Sequence, residues 1–155
     1  MTPEQFCELI APLTARIEGK PLDEQLEKEL NQAIPAGGPI YQSVFDACQK
    51  AIKAGWMCKY AANGIRYGRV IKPGAPTHGF SVDVVEMSDI EGPHHRHPGG
   101  EIDLVMPLSP GAQFDGRDAG WLVYPPDSAH RPTVAHGRAL VLYLLPDGRI
   151  EFTTK

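Results

Sequence analysis

All six histidines lie after residue 77, and three of them fall in one segment, GPHHRHPGGEID. His95 and His97 are two apart, so on a strand their imidazoles share a face. The Pro98-Gly99-Gly100 turn lets the chain double back and set Glu101 beside them. Two imidazoles and a carboxylate suit a first-row divalent ion such as Zn, Fe, Mn, Co or Ni, at bond lengths of about 2.0 to 2.2 Å. His130 follows a strand-like segment and a Pro-rich turn, WLVYPPDSAH, which antiparallel pairing can bring alongside as a fourth ligand. The expected metal set is therefore His95, His97, Glu101 and His130. Without an ion, the three histidines would do acid and base work themselves.

Asp103 shares the parity of Glu101, so on a regular strand it also looks inward, where it could orient a ligand or carry a proton. The alternative for it is a barrel-mouth residue in contact with water. Arg96 and Arg131 each adjoin an expected ligand and could take a substrate carboxylate bidentately, a solvated surface arginine being the alternative for each. Arg66 and Arg69 are three apart, so at most one can face a cavity. His94 is out of phase with its neighbours and faces away. His78 and His136 are read as loop residues.

His95-x-His97 followed by three residues and Glu101 resembles the first cupin motif, and Pro125-x-Asp127-x-x-His130 resembles the second. The chain departs from that pattern at Asp127, where a turn glycine is usual, and at Val134, where Asn is frequent. The resemblance spans roughly residues 60 to 150 and implies a double-stranded β-helix barrel. The fuller pattern of HRHPGGEID, FDG, GWLVYPPDSAHRPTV and LYLLPDGRIEF is similar to the small cupin-like 4-hydroxylaminobenzoate lyases of bacterial nitroaromatic catabolism, over nearly the whole chain. It implies conversion of 4-hydroxylaminobenzoate to protocatechuate and ammonia. That chemistry needs an acid to help the N-hydroxyl oxygen leave, water at the adjacent ring carbon, and hydrolysis of the resulting imine. Glu101, Asp103 and His130 are the expected catalytic groups, with Glu101 first and Asp103 second as proton donor. Arg96, Arg131, Tyr124 and Tyr143 are the expected substrate-binding residues, and Phe80 and Trp121 could add flat apolar walls. Two other classes stay open on the same scaffold: a metal-dependent dioxygenase and a non-catalytic small-molecule-binding cupin.

Two kinds of element must hold these groups. Before Gly55 apolar residues recur every three or four positions, as in Phe6, Leu9, Ile10, Leu13 and Ile17, then Leu22, Leu26, Leu30 and Ile34, then Val44, Phe45, Cys48, Ile52 and Trp56. Three helices follow, with Thr2 and Pro3 opening the first and Pro12 expected to kink or stop it. After Tyr60, short alternating or apolar segments between turn formers predict six or more strands. Ala139 to Leu145 is apolar on both faces and reads as a central strand covered on both sides. The fold class expected is mainly β with N-terminal α-helices: a helical layer over residues 1–56 and a barrel over 57–155, one structural domain overall. The helical layer is expected to cover the barrel or form a dimer contact.

The chain has 155 residues with 15 basic and 19 acidic side chains. No cluster of Lys or Arg attracts a polyanion, so nucleic acid is not an expected partner. A small aromatic acid is, in a homo-oligomer, a dimer first. No apolar run is long enough to span a bilayer, and MTPEQFCELIAPLT lacks the features of a secretion signal, so the expectation is a cytoplasmic protein that does not engage membranes. Cys7, Cys48 and Cys58 form no Cys-x-x-Cys pair and read as reduced thiols. There is no Gly-x-Gly-x-x-Gly turn or phosphate loop, so NAD, flavin and nucleotides are not expected as cofactors.

Overall fold

The computed structural model describes residues 1–153; the last two residues of the strand-like segment 149–155 lie outside the described residues. Three helices come first, α1 (Pro3–Ile17), α2 (Glu24–Ala33) and α3 (Pro39–Ala54). The strands are β1 (Tyr60–Ala62), β2 (Ile65–Ile71), β3 (Phe80–Glu91), β4 (His95–His97), β5 (Glu101–Pro107), β6 (Gln113–Phe114), β7 (Gly120–Tyr124), β8 (Ser128–His130), β9 (Thr133–Pro146) and β10 (Glu151–Phe152).

Local signals set the helix starts. Thr2 and Gln5 form a reciprocal capping box on α1, with bonds of 2.8 and 3.2 Å. Asp23 caps α2 by accepting from the Leu26 N–H at 2.9 Å. Pro12 does not stop α1, which runs through it to Ile17. Proline removes one backbone donor there, while Phe6, Ile10, Leu13, Thr14 and Ile17 stay buried on both sides of it.

The strands make two sheets, one ordered β1-β2-β3-β9-β5-β7 with β6 also on β9, and a small one ordered β10-β4-β8. β9 pairs with both β3 and β5, and its run from Ala139 to Leu145 is buried throughout. Leu140, Leu142 and Leu144 join Val82, Val84, Ile102, Leu104 and Met106 in one core with the helix stripes. Ala139, Val141, Tyr143 and Leu145 face the other way, into the barrel, with Met87, Val105, Phe114 and Leu122. Burying each such large apolar side chain contributes about 1.5 to 3 kcal/mol, so the helical layer is held by the outer face of the sheet.

Phe80 and Trp121 belong to that outer core, and Trp121 Nε1 donates to Ile34 O at 3.1 Å. They therefore pack under the helices rather than wall the barrel interior. The edge strand β7 is closed by side chains of α2 that take the place of a further strand. Asn31 accepts from Trp121 N (2.9 Å) and donates to Trp121 O (3.0 Å), and Glu27 accepts from Val123 N at 2.9 Å.

All three cysteines are free. Burial pushes the Cys48 thiol well above its usual range and, with the Glu86 charge, raises Cys58 to about 12. Among the described residues, no helix is long and apolar enough to cross a membrane.

Candidate active site

Strand register assembles the histidines. β4 and β8 pair so that His95 stands opposite His130 and His97 opposite Ser128. Alternation then points His95 and His97 inward together. Glu101 comes from the other sheet, at the start of β5. The turn between them needs Gly100, which has φ +87° and where a Cβ would lie 2.7 Å from both Leu22 Cδ2 and Tyr124 O. Asp127, in the place of a turn glycine, has φ 65°. Aspartate tolerates that conformation, and the Asp127 N–H still donates to His97 O at 2.8 Å.

His97 Nε2 lies 3.3 Å and His130 Nε2 3.7 Å from Glu101 Oε2, His95 Nε2 is 3.8 Å from Oε1, and the Nε2 atoms of His95 and His130 are 3.1 Å apart. One ligand atom from each of the four residues lies within 4.8 Å of every other. His95, His97 and Glu101 are buried and His130 nearly so. The far nitrogens of two rings are already committed: His130 Nδ1–H donates to Asp115 Oδ2 (2.6 Å), and His97 Nδ1 pairs with Ser128 Oγ (2.9 Å). A neutral imidazole protonated at Nδ1 presents a bare lone pair at Nε2. The cluster thus gathers three buried atoms, His97 Nε2 and the two Glu101 oxygens, with no hydrogen-bond partner among the described residues, which a divalent cation fits and satisfies. Burial opposes the Glu101 charge, but the adjacent His95 and His97 imidazoles outweigh it and hold the carboxyl below the usual range.

Asp103 lies two residues along β5 on the same face, fully buried, with neither oxygen bonded among the described residues. Burial and the neighbouring Glu101 charge both raise its carboxyl well above the usual range. It pairs in register with Tyr143 of β9.

A cavity of about 560 Å³ opens between the sheets against this cluster, reaching it at His95. Its aromatic lining is Tyr67, Tyr143 and Phe152, and Arg69, Asp83 and Arg131 add charge. Of the expected substrate residues, Tyr143 and Arg131 line the cavity. Arg131 has Glu91 nearby, at 3.9 Å, and stays partly exposed. Tyr124 does not line it: the ring stacks on His130 (4.6 Å between centroids) and His97 (5.5 Å), and its hydroxyl donates to Asp115. Arg96 does not line it either. It sits between two inward histidines, so it points outward, where Asp127 and Glu151 bind it. His94 likewise turns away, to Thr153, and His78 is tied to Thr14 of α1 at 2.8 Å. Val134, at the position where Asn is frequent, is buried in the inner core.

One group escaped the sequence reading. Asp115 occupies a tight hairpin turn, Phe114 to Arg117, in which Asp115 and Gly116 both have positive φ (50° and 77°). Asp-Gly is the usual signal for such a turn, and FDG is visible in the sequence. Its carboxylate holds His130, Tyr124 and the Thr133 N–H (2.9 Å). Burial works against the charge, yet these hydrogen bonds lower its pKa. Of Arg66 and Arg69, Arg69 lines the cavity, its Nε and Nη2 gripping Asp83 at 2.8 and 3.2 Å while Nη2 also donates to Gly148 O.

The profile of the family described as PnbB, 4-hydroxylaminobenzoate lyase, matches residues 8–152. A 4-hydroxylaminobenzoate lyase of Nocardioides sp. (strain LMS-CY) is 32% identical, over 97% of this chain and 95% of that protein. One of Pseudomonas putida is 28% identical, over 96% and 94%. Among solved structures, one of DMSP lyases matches with a TM-score of 0.50 at 14% identity, covering 99% of this chain and 100% of that one, a likeness of fold alone. An RmlC-like cupin protein from Ralstonia eutropha JMP134 gives 0.45 over 61% of this chain and 62% of that one, at 16% identity. With the profile and the relatives both spanning nearly its whole length, the chain belongs to the 4-hydroxylaminobenzoate lyase family.

Proposed function

We propose that this chain converts 4-hydroxylaminobenzoate and one water to protocatechuate and ammonia at the His95, His97, Glu101 and His130 cluster. The family match supports the reaction, and the observation that carries the site is the buried set of acceptors meeting an aromatic-lined cavity at His95. A divalent ion held by these four residues would supply a Lewis acid that activates water near neutral pH. The donor set suits Zn, Fe, Mn, Co or Ni.

The residues of the chain divide the remaining work. Arg131, at the cavity wall with a weak partner, takes the substrate carboxylate. Tyr143 provides a flat wall for the ring. Asp103, buried beside Glu101 on β5, is the proton reservoir for the departing N-hydroxyl oxygen, with Glu101 and His130 fixing the reacting centre. Water then adds to the ring carbon next to the one bearing nitrogen, and a second water hydrolyses the imine to release ammonia. One water leaves and two enter, so the substrate is neither oxidised nor reduced, and nicotinamide, flavin and oxygen have no part to play. In this reading the protein works as a cytoplasmic homodimer, with exposed Tyr60 on the edge strand β1 as apolar surface for the contact.

The test is an anaerobic assay of pure protein with 4-hydroxylaminobenzoate, following ammonia and catechol. Equimolar products support the reading. Strict dependence on oxygen would replace it with a dioxygenase, and ligand binding without turnover with a binding protein.

A further inference from the structure

Phe152 breaks the burial pattern: it is 67% exposed, the most exposed large apolar residue described, yet it lines the cavity. It stands opposite His95 in the β10–β4 register, and its ring centroid lies 5.8 Å from that of His95 at an interplanar angle of 65°. β10 is only two residues long, with no buried side chain of its own, so burial does not hold it in place. Polar ties do. Alternation turns Glu151 outward to Arg96, whose Nε and Nη2 reach it at 3.1 and 3.0 Å, and Arg96 also binds Asp127 in the turn before β8. The Thr153 N–H donates to His94 O at 3.0 Å, and Arg69 holds the preceding turn through Gly148 O at 3.1 Å. A guanidinium that reaches one Glu151 oxygen through Nε and Nη2 and Asp127 through Nη1 fixes geometry better than a lone surface pair.

The strand thus presents one aromatic ring at the cavity, beside the histidine through which the cavity meets the cluster. Val85, Met87 and Tyr143 of the large sheet line the same cavity. Resting on the aromatic-acid reading above, we infer that Phe152 contacts the substrate ring and sets specificity for aromatic acids, and that Arg96 and Glu151 are positioning residues that act through Phe152. An aromatic pair gains from ring geometry as well as burial, and an exposed ring gives up nothing in the core when it serves a ligand.

The experiment measures binding of 4-aminobenzoate, an unreactive analogue, by calorimetry, together with KM and kcat on 4-hydroxylaminobenzoate, metal content and melting temperature. Phe152→Ala is expected to weaken 4-aminobenzoate and raise KM about tenfold, with metal content and melting unchanged, and Phe152→Tyr to stay within twofold of the parent. Glu151→Lys is expected to weaken binding about threefold and to add nothing to Phe152→Ala in the double variant. Unchanged KM and Kd in Phe152→Ala, or a Glu151→Lys effect that persists in full without Phe152, would overturn the inference. A parent protein that binds 4-aminobenzoate but turns nothing over removes the lyase reading alone, and the Phe152→Ala affinity still decides this one. A parent that binds no 4-aminobenzoate overturns it outright.

Discussion

Asp115 Oδ2 accepts the Nδ1–H of His130 at 2.6 Å, and the same carboxylate takes the Tyr124 hydroxyl and the Thr133 N–H. One aspartate in a two-residue turn thereby fixes the tautomer and the tilt of His130, the cluster residue contributed by β8. Such outer carboxylates typically govern metal affinity by 10- to 100-fold. Asp115→Asn is therefore expected to lower affinity for Zn or Co within about that range while leaving the circular dichroism spectrum unchanged. Competition with a chromophoric chelator reads it, and unaltered affinity would make the contact merely structural.

How much of this was legible beforehand can be judged residue by residue. Parity along HRH and the glycine turn brought His95, His97 and Glu101 together correctly, because a period of two is a local property. The same parity already turned Arg96 outward. Assigning Arg96 to the substrate went against it. Phe80 and Trp121 could not be placed, since a strand buried on both faces does not say which face the helices cover. Asp115 lay in a recognisable hairpin signal, but its reach to His130 depends on how β6, β8 and β9 are juxtaposed, over contacts that no local pattern encodes.

An ion held by the buried cluster is expected to stabilise the fold. An ion that binds only the folded chain, at a hundredfold excess over its Kd, adds about 2.7 kcal/mol, or roughly 5 to 10 °C for a chain of this size. Thermal melts with chelator and with added Zn, Mn or Co check this. His97→Ala should lose the shift entirely while melting near the metal-free parent, since it removes a buried ring whose Nε2 has no hydrogen-bond partner among the described residues.

Ala substitution at His95, His97 or His130 is expected to abolish turnover with the fold retained. Inward polar groups are costly to bury, with His95 Nδ1 and His97 Nε2 unpartnered among the described residues, so loss of these rings should register in activity and metal content rather than in the spectrum. Full activity in any two of the three variants would show the cluster to be structural.

Gly100→Ala addresses the turn that delivers Glu101. Its Cβ would fall 2.7 Å from the Tyr124 carbonyl, at a φ of +87°. The expected cost is at least about 1 to 3 kcal/mol from strain alone, with weakened metal binding because Glu101 is displaced. Denaturant melts beside metal titration read both effects, and a neutral substitution would contradict the geometry.

Asn31→Ala tests the helical cover of the β7 edge. It strips partners from the Trp121 N–H and C=O, at an expected cost of about 1 to 3 kcal/mol. Urea unfolding measures it, and a change below a few tenths would mean that water replaces the asparagine.

The claim at the centre is redox-neutral replacement of the hydroxylamino group by water-derived oxygen. Anaerobic turnover of 4-hydroxylaminobenzoate in ¹⁸O-labelled water, with mass analysis of the product, tests it most directly. Two labelled hydroxyl oxygens in protocatechuate, with ammonia released in equal amount, is the expected result. Retention of the substrate's own N-hydroxyl oxygen, or a need for molecular oxygen, would contradict it.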